Sequence, residues 1–343
     1  MQVFSKIVDL AYYLPEEILS NDSLASFFPG WTSEKIYIKT GIRNRRVAGL
    51  NETSGDMAFK AALNLFAKGK VKVADIDFII LCTQTPDYLL PTTACIIQDK
   101  LGVSKESGAL DINLGCSGYV YGLSLAQGLI ESRNANNVLL LTADTYSKYI
   151  HPLDKSVRTL FGDAASATVI SGASSSKNAI GPFVFGTDGK GSDNLIIKSG
   201  GARQAKNADT SLERTDNSGN IRSLDNLFMN GSEVMTFTLQ EVPKILKKLL
   251  IKTGLSDSAI DYYVLHQANR FLLEALRKKM NIDTEKLPIS IEETGNTVSS
   301  SIPLLLIHMM ENNCFNSDKK IVLIGFGVGY SWGACVVNFN GAI

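Results

Sequence analysis

Apolar residues in this chain fall into two alternating patterns. Short buried runs are followed by stretches in which apolar positions recur every three or four residues, so strands are predicted to alternate with amphipathic helices. The segment DIDFIILCTQTPDYLLPTTACIIQDKLGV (75–103) predicts a strand, a polar loop and a helix, and AIDYYVLHQANRFLLEALRKKMNI (259–282) repeats that order. GALDINLGCSGYVYGLSLA (108–126) and LPISIEETGNTVSSSIPLLL (287–306) each predict a short strand, a Gly-containing turn and a helix. NNVLLLTAD (136–144) is answered by KKIVLIGFG (319–327), and the small-residue strand DAASATVIS (163–171) by SWGACVVNF (331–339). From Ile76/Ile260 through Cys116/Asn296 to Asn136/Lys319 the offset stays near 180–184 residues, which marks an internal duplication.

Strands alternating with helices imply an α/β molecule with mostly parallel sheets sandwiched by helices. The Ser-rich stretch SGASSSKN (171–178) is expected to join two halves, 1–174 and 175–343, about a pseudo-two-fold axis. Region 186–226, rich in Gly, Asn, Asp and Ser, reads as long loops. SEVMTFTLQEVPKILKKLLIKTG (232–254) then predicts a long amphipathic helix ending at Gly254.

The duplication relates residues of different chemistry. Cys116 and Asn296 each follow a Gly at the start of equivalent helices, and His266 takes the place of Cys82 after an equivalent strand. Ligands in open α/β sheets gather at the carboxyl ends of strands, so Cys116, His266 and Asn296 should converge on the pseudo-axis. A cysteine at a helix start is expected to favour its thiolate; a buried packing cysteine is the alternative. Of the other two histidines, His151 lies at no comparable strand end, and His308 in LLLIHMM reads as a satisfied core residue.

Composition narrows the function classes. Lys plus Arg and Asp plus Glu each total 34, so no global field points to nucleic acid or a membrane surface. No apolar stretch approaches the roughly 18 residues of a spanning helix, and the first residues lack a secretory apolar core, so a cytoplasmic location is expected. Five scattered cysteines make no disulfide framework, and no CxxC or HxxxH pair offers metal ligands. GFGVG (325–329) could suggest a dinucleotide loop, but only 14 residues follow Gly329 and no βαβ unit fits there. Its glycines are better read as allowing close backbone approach, and Gly118 and Gly122 as packing positions on a buried helix.

KTGIRNRR (39–46), DINLGCSGYVYGL (111–123), FGDAASATV (161–169), MNGSEVMTF (229–237), HQANR (266–270), GNTVSSS (295–301) and GFGVGYSWG (325–333) occur in this order. Together they resemble the β-ketoacyl-acyl-carrier-protein synthase III family of thiolase-like condensing enzymes. The resemblance implies a thiolase-like five-layered αβαβα fold built from two duplicated halves, a homodimer, and a Cys-His-Asn triad at Cys116, His266 and Asn296. It further implies an oxyanion hole at the backbone N–H groups of Cys116 and Val328. Carrier-protein contacts are implied at Gln267, Ala268, Asn269, Arg270 and Phe271, within a basic region that includes Arg277, Lys278, Lys279, Lys244, Lys247, Lys248 and Lys252. Leu90 matches the position that lines the partner's acyl pocket; a plain core or interface leucine is the other reading.

The expected reaction is acyl transfer to Cys116 followed by decarboxylative Claisen condensation with malonyl-carrier protein, without metal or resident cofactor. Transfer of the acyl group to an alcohol or amine is the alternative, and a non-catalytic partner of the same fold conflicts with an intact triad. Acyl-coenzyme A or acyl-carrier protein would be the donor. Where the family shows Trp and Arg stacking on adenine, this chain has Lys35 and Lys39, with Lys155 as a further cation and Trp31 four residues before Lys35. Lysine stacks less well than either, so an acyl-carrier donor is expected to rival acyl-coenzyme A.

Overall fold

The computed structural model describes residues 3–173 and 179–339. The join placed at 174/175 therefore lies outside the described residues. The first half holds a five-stranded sheet of β1 (Phe4–Tyr13), β2 (Phe78–Cys82), β3 (Gly108–Ile112), β4 (Asn137–Asp144) and β5 (Ala164–Ala173). The second holds β6 (Ile180–Thr187), β7 (Tyr262–Leu265), β8 (Lys319–Gly327) and β9 (Ser331–Phe339). Spatial order is β1-β5-β4-β2-β3 in one sheet and β6-β9-β8-β7 in the other, the same order for the four strands that the second shares with the first.

Two expectations need correction. Pairing is mixed rather than mostly parallel: β2 runs parallel to β3 and β4, and β7 to β8, but β5 and β9 are antiparallel to both their neighbours. The turn between Gly327 and Ser331 is too short for a crossover, so β8 and β9 can only form a hairpin. The second difference is the segment 287–291, expected to repeat β3, which forms no strand. Pro288 there has no N–H to give to an edge ladder.

Helices make up the remaining layers. Between the sheets lie α4 (Gly118–Glu131) and α7 (Ser301–Glu311), each packing on strands of both halves. Their apolar faces, including Tyr119, Leu123, Ile302 and Leu306, form a fully buried central core with strand residues of the two sheets. Outside the first sheet sit α2 (Ser54–Ala67) and α3 (Thr93–Leu101), and outside the second α5 (Gly231–Thr253) and α6 (Arg270–Met280). The small helix α1 (Ser33–Thr40) rests near α6. The order helix, sheet, helix, sheet, helix gives five layers.

Local signals place several of these ends. Thr53 and Asp56 cap α2 reciprocally, and α5 ends where Gly254 turns left-handed at φ +67°. Close approach explains Gly118 in the central helix. A Cβ there would lie 2.1 Å from Cys82 Sγ, so only glycine lets α4 lie against the end of β2. Region 186–226 is irregular as expected, holding a 3-10 turn (Gly189–Asn194) and two-residue strands. His308 departs from its reading: it is exposed, because the buried stripe of α7 runs through 302, 305, 306 and 309 and leaves 308 on the outer face. Among the described residues no helix is long and apolar enough to cross a membrane.

Candidate active site

Three loops meet at the ends of the two sheets, and each brings one residue of the expected triad. Cys116 sits between β3 and α4, His266 follows β7, and Asn296 lies in the GNTVSSS loop before α7. All three are buried. The turn after β8 closes over the sulfur: a Cβ on Gly327 would stand 2.8 Å from Cys116 Cβ and 2.9 Å from its Sγ. This is the close backbone approach anticipated for GFGVG.

Burial, and then the carboxyl of Asp144, push the Cys116 thiol up to about 12, while the backbone N–H groups of Cys116 and Val328 donate toward the sulfur and pull the other way. Burial thus outweighs the stabilisation of a thiolate that a helix start would offer. The first N–H groups of α4 are occupied, Gly118 donating to Gly115 O at 2.8 Å and Val120 to Ser117 O at 3.1 Å. Cys116 is thus a thiol whose charged form would be met by two backbone donors. Those same donors are the ones the resemblance assigned to the oxyanion hole.

His266 is held by its backbone N–H to Ile324 O at 2.8 Å, by Nδ1 against Ser301 Oγ at 2.7 Å, and by an edge-on contact with the Phe326 ring. Burial drives its pKa down to about 3, so the imidazole is neutral at pH 7. It does not form an imidazolium–thiolate pair with Cys116. Asn296 is fixed at both ends of its backbone, N–H to Leu160 O at 2.9 Å and C=O from Gly162 N–H at 3.0 Å. Its Oδ1 accepts from Val298 N at 3.0 Å, which leaves the Nδ2 donors for a ligand.

The loop that carries Asn296 also ties the centre together. Ser299 donates to Asp144, Ser300 bonds Thr142 Oγ1 at 2.8 Å, and Ser301 meets His266. Beneath it, the buried guanidinium of Arg45 donates to Asn21 and Thr159, and Arg45 Cγ lies 3.0 Å from where a Cβ on Gly295 would be. The sequence motifs contain these residues, but their roles were missed because the partners are 24 to 158 residues away. The apolar cluster around Cys116 includes Tyr146, Ile150, Phe161 and Leu227. Tyr146 donates to Gln84 Oε1 at 2.6 Å within that wall.

The remaining candidates divide. Gln267 is buried, its Nε2 donating to Leu265 O at 2.8 Å and its Oε1 accepting from Ser290 N at 3.0 Å, so it cannot touch a docked protein. That assignment is corrected. Ala268 is half-buried against the outer core of the second half. Asn269 caps α6, and Arg270 pairs with Glu292 at 3.3 Å and donates to Tyr37. Phe271, in the first turn of α6, is 62% exposed; Lys278 and Lys279 are exposed in its last turn, and Lys247 and Lys248 on neighbouring α5. Of the other cations, Lys244 and Arg277 pair within their helices and Lys252 donates to Phe183 O. Leu90 is 82% exposed, with Tyr88 and Leu89 also exposed beside it.

Lys35 and Lys39 hold their ammonium groups 5.4 and 5.8 Å from the ring centre of Trp31. Trp31, Phe27, Phe28 and Lys155 line a cleft of about 230 Å³ with Leu153 and Ile221, whereas Lys35 and Lys39 are not among its walls. Trp31 and Lys155 thus share one cleft, although they are 124 residues apart in sequence.

Known proteins carry the same architecture. Residues 110–189 match the family model for 3-oxoacyl-[acyl-carrier-protein] synthase III, and residues 250–339 match the model for its C-terminal part. The chain is 36% identical to β-ketoacyl-[acyl-carrier-protein] synthase III of Lactococcus lactis subsp. lactis, over 98% of this chain and 99% of that protein. The chain belongs to the β-ketoacyl-acyl-carrier-protein synthase III family. A second synthase III, from Clostridioides difficile, is 36% identical over 99% of this chain and all of its own length. A crystal structure of a 3-oxoacyl-(acyl-carrier-protein) synthase III superposes with a TM-score of 0.97 at 56% identity, covering 98% of this chain and 100% of that one. One from Burkholderia xenovorans gives 0.90 at 36% identity, covering 99% and 95%. The five-layered thiolase-like fold is that of this synthase III family.

Proposed function

We propose that this synthase III family member makes a 3-oxoacyl-carrier product in two steps at one centre. Cys116 attacks the carbonyl of an acyl thioester, the donor thiol leaves with a proton, and the acyl group rests on the sulfur. Malonyl-carrier protein then loses carbon dioxide, and the enolate oxygen is met by hydrogen bonds from His266 and Asn296. The enolate carbon attacks the acyl-Cys116 carbonyl, whose oxyanion is received by the N–H groups of Cys116 and Val328. Collapse releases the 3-oxoacyl thioester and the Cys116 thiolate, which takes a proton from solvent to return to the thiol. The observation that carries this reading is the pairing of a neutral His266 with an Asn296 amide whose oxygen is already committed. Both can donate to an enolate oxygen, a need that simple acyl transfer does not have. Transfer to an alcohol or amine finds no support among the relatives, which are named as synthases.

Trp31 and Lys155 suit the adenine end of coenzyme A, stacking and pairing with phosphate respectively. The exposed cations Lys247, Lys248, Lys278 and Lys279 suit an acidic carrier protein. Tyr88, Leu89 and Leu90, exposed together, suit burial against a second copy in a homodimer.

Mass spectrometry of the protein tests the reading. Acyl-coenzyme A or acyl-carrier protein should add one acyl mass to the Cys116 peptide. Malonyl-carrier protein should then remove that mass and yield a 3-oxoacyl-carrier. A label on Cys82 or Cys95, or release of the acyl group without 3-oxoacyl product, would overturn it.

A further inference from the structure

His266 can help an enolate oxygen only through a ring nitrogen that carries hydrogen and faces the site. A neutral imidazole has one N–H, so its position decides between a donor and an acceptor. Among the described residues, Nδ1 has one partner, Ser301 Oγ at 2.7 Å, and Nε2 has none. Nε2 is thus the atom left to meet a substrate. Which nitrogen bears the proton follows from where the Ser301 hydroxyl proton goes.

Ser301 is buried at the first turn of α7, and its oxygen already accepts from the backbone N–H of Gln267 at 3.3 Å. Among the described residues, the only acceptor within hydrogen-bond reach of its O–H is His266 Nδ1. If Nδ1 carried the hydrogen instead, Ser301 would accept twice and leave its own buried O–H unpaired, which costs on the same scale as a lost hydrogen bond.

We propose that Ser301 is a positioning residue that donates to His266 Nδ1 and thereby keeps the imidazole proton on Nε2, making His266 a hydrogen-bond donor toward the malonyl-derived enolate rather than a base for Cys116. The proposal rests on the condensing reading above. It adds a parallel between the two donors. Val298 N–H occupies the Asn296 oxygen, Ser301 O–H occupies His266 Nδ1, and both come from one loop. His266 is consequently spared as a base, and the Cys116 sulfur relies on the N–H groups of Cys116 and Val328.

The test compares the full-length protein with Ser301→Ala. Nitrogen-15 NMR of histidine-labelled wild type should show His266 protonated at Nε2. In Ser301→Ala the Nδ1 acceptor loses its donor, and the spectrum should move toward the Nδ1–H form. Malonyl-carrier decarboxylation should fall by at least about tenfold in kcat with KM changed less than about twofold, part of the loss seen when an oxyanion donor is removed. Acylation of Cys116, followed by mass, should stay within about twofold and shows that the variant is folded. Wild-type His266 protonated at Nδ1 overturns the proposal, as do unchanged decarboxylation in Ser301→Ala or an equal loss of acylation. A wild type that is protonated at Nε2 but does not decarboxylate malonyl-carrier would instead sink the condensing reading and leave the tautomer assignment standing.

Discussion

The two halves share a strand order, yet the same strand end carries opposite chemistry in each. Where β2 ends, Cys82 donates its thiol proton to Leu114 O at 3.0 Å. Where β7 ends, His266 stands with an unpartnered ring nitrogen among the described residues. At the paired helix starts the chemistry reverses, with Cys116, the proposed nucleophile, in the first half and the amide Asn296 in the second. One half therefore contributes the sulfur and the other the donors. The two thiols make the point sharply. Burial, and then Asp144, raise both thiols; Cys82 gives its proton to Leu114 O, whereas the Cys116 sulfur is approached by the N–H groups of Cys116 and Val328.

The largest effect should come from removing the second half's donors. His266→Ala or Asn296→Ala is expected to slow malonyl-carrier decarboxylation by roughly 10²–10³-fold. Acylation of Cys116 should suffer far less in both variants, because the groups that face its sulfur are the backbone donors of Cys116 and Val328. Separate assays of carbon dioxide release and of acyl-enzyme formation measure the two steps. Equal losses in both steps would mean that the division of labour between the halves is wrong.

A smaller effect tests how tightly Cys82 is enclosed by its own half. Gly118→Ala places a methyl 2.1 Å from Cys82 Sγ, where neither partner has room to move. Overpacking of this kind costs about 1–3 kcal/mol, and combining it with Cys82→Ala should recover part of the loss through direct coupling. Chemical unfolding of the two single variants and the double variant measures the cycle. Additive losses would show that the contact does not limit the approach of α4 to β2.

Much of this was legible in the sequence, and the reasons differ by feature. The duplication was visible because periodicity and spacing survive in Ile76-Asp77 and Ile260-Asp261, and the triad followed from its position within the repeat. Pairing direction was not, because an apolar run reads the same in a parallel or an antiparallel ladder. The surroundings of Cys116 were hidden for a related reason: a helix start is visible in sequence, but which N–H groups are already occupied and how deeply the sulfur is buried are not. Spacing shows Trp31 four residues before Lys35, but not that Lys35 and Lys39 both lie over its ring. Gln267 sits in a motif with exposed neighbours, and only the path of its amide to Leu265 and Ser290 shows it to be buried.

The smallest expected effect concerns a carboxyl that the second half has no counterpart for. Asp144 ends β4, fully buried, accepting from Gln84 N at 2.8 Å and from Ser299, while the equivalent strand β8 ends in Gly327. Burial raises its pKa to about 7, so above neutrality it becomes a buried anion that raises the Cys116 thiol. The sign for stability follows from this upward shift. The folded state binds the proton more tightly than the unfolded chain, so this contribution is present at low pH and is lost as pH rises through about 7. Asp144→Asn should therefore flatten the fall in unfolding midpoint between about pH 4, the ordinary carboxyl value, and about pH 7. It should also speed iodoacetamide alkylation of Cys116 at pH 8 by a few-fold, roughly what half a pKa unit of relief gives. In the wild type, alkylation should keep climbing with pH without a plateau near neutrality, as a thiol pushed up to about 12 requires. A plateau near pH 7 in the wild type, or no acceleration in Asp144→Asn, would mean that the first half stores its nucleophile as a thiolate after all.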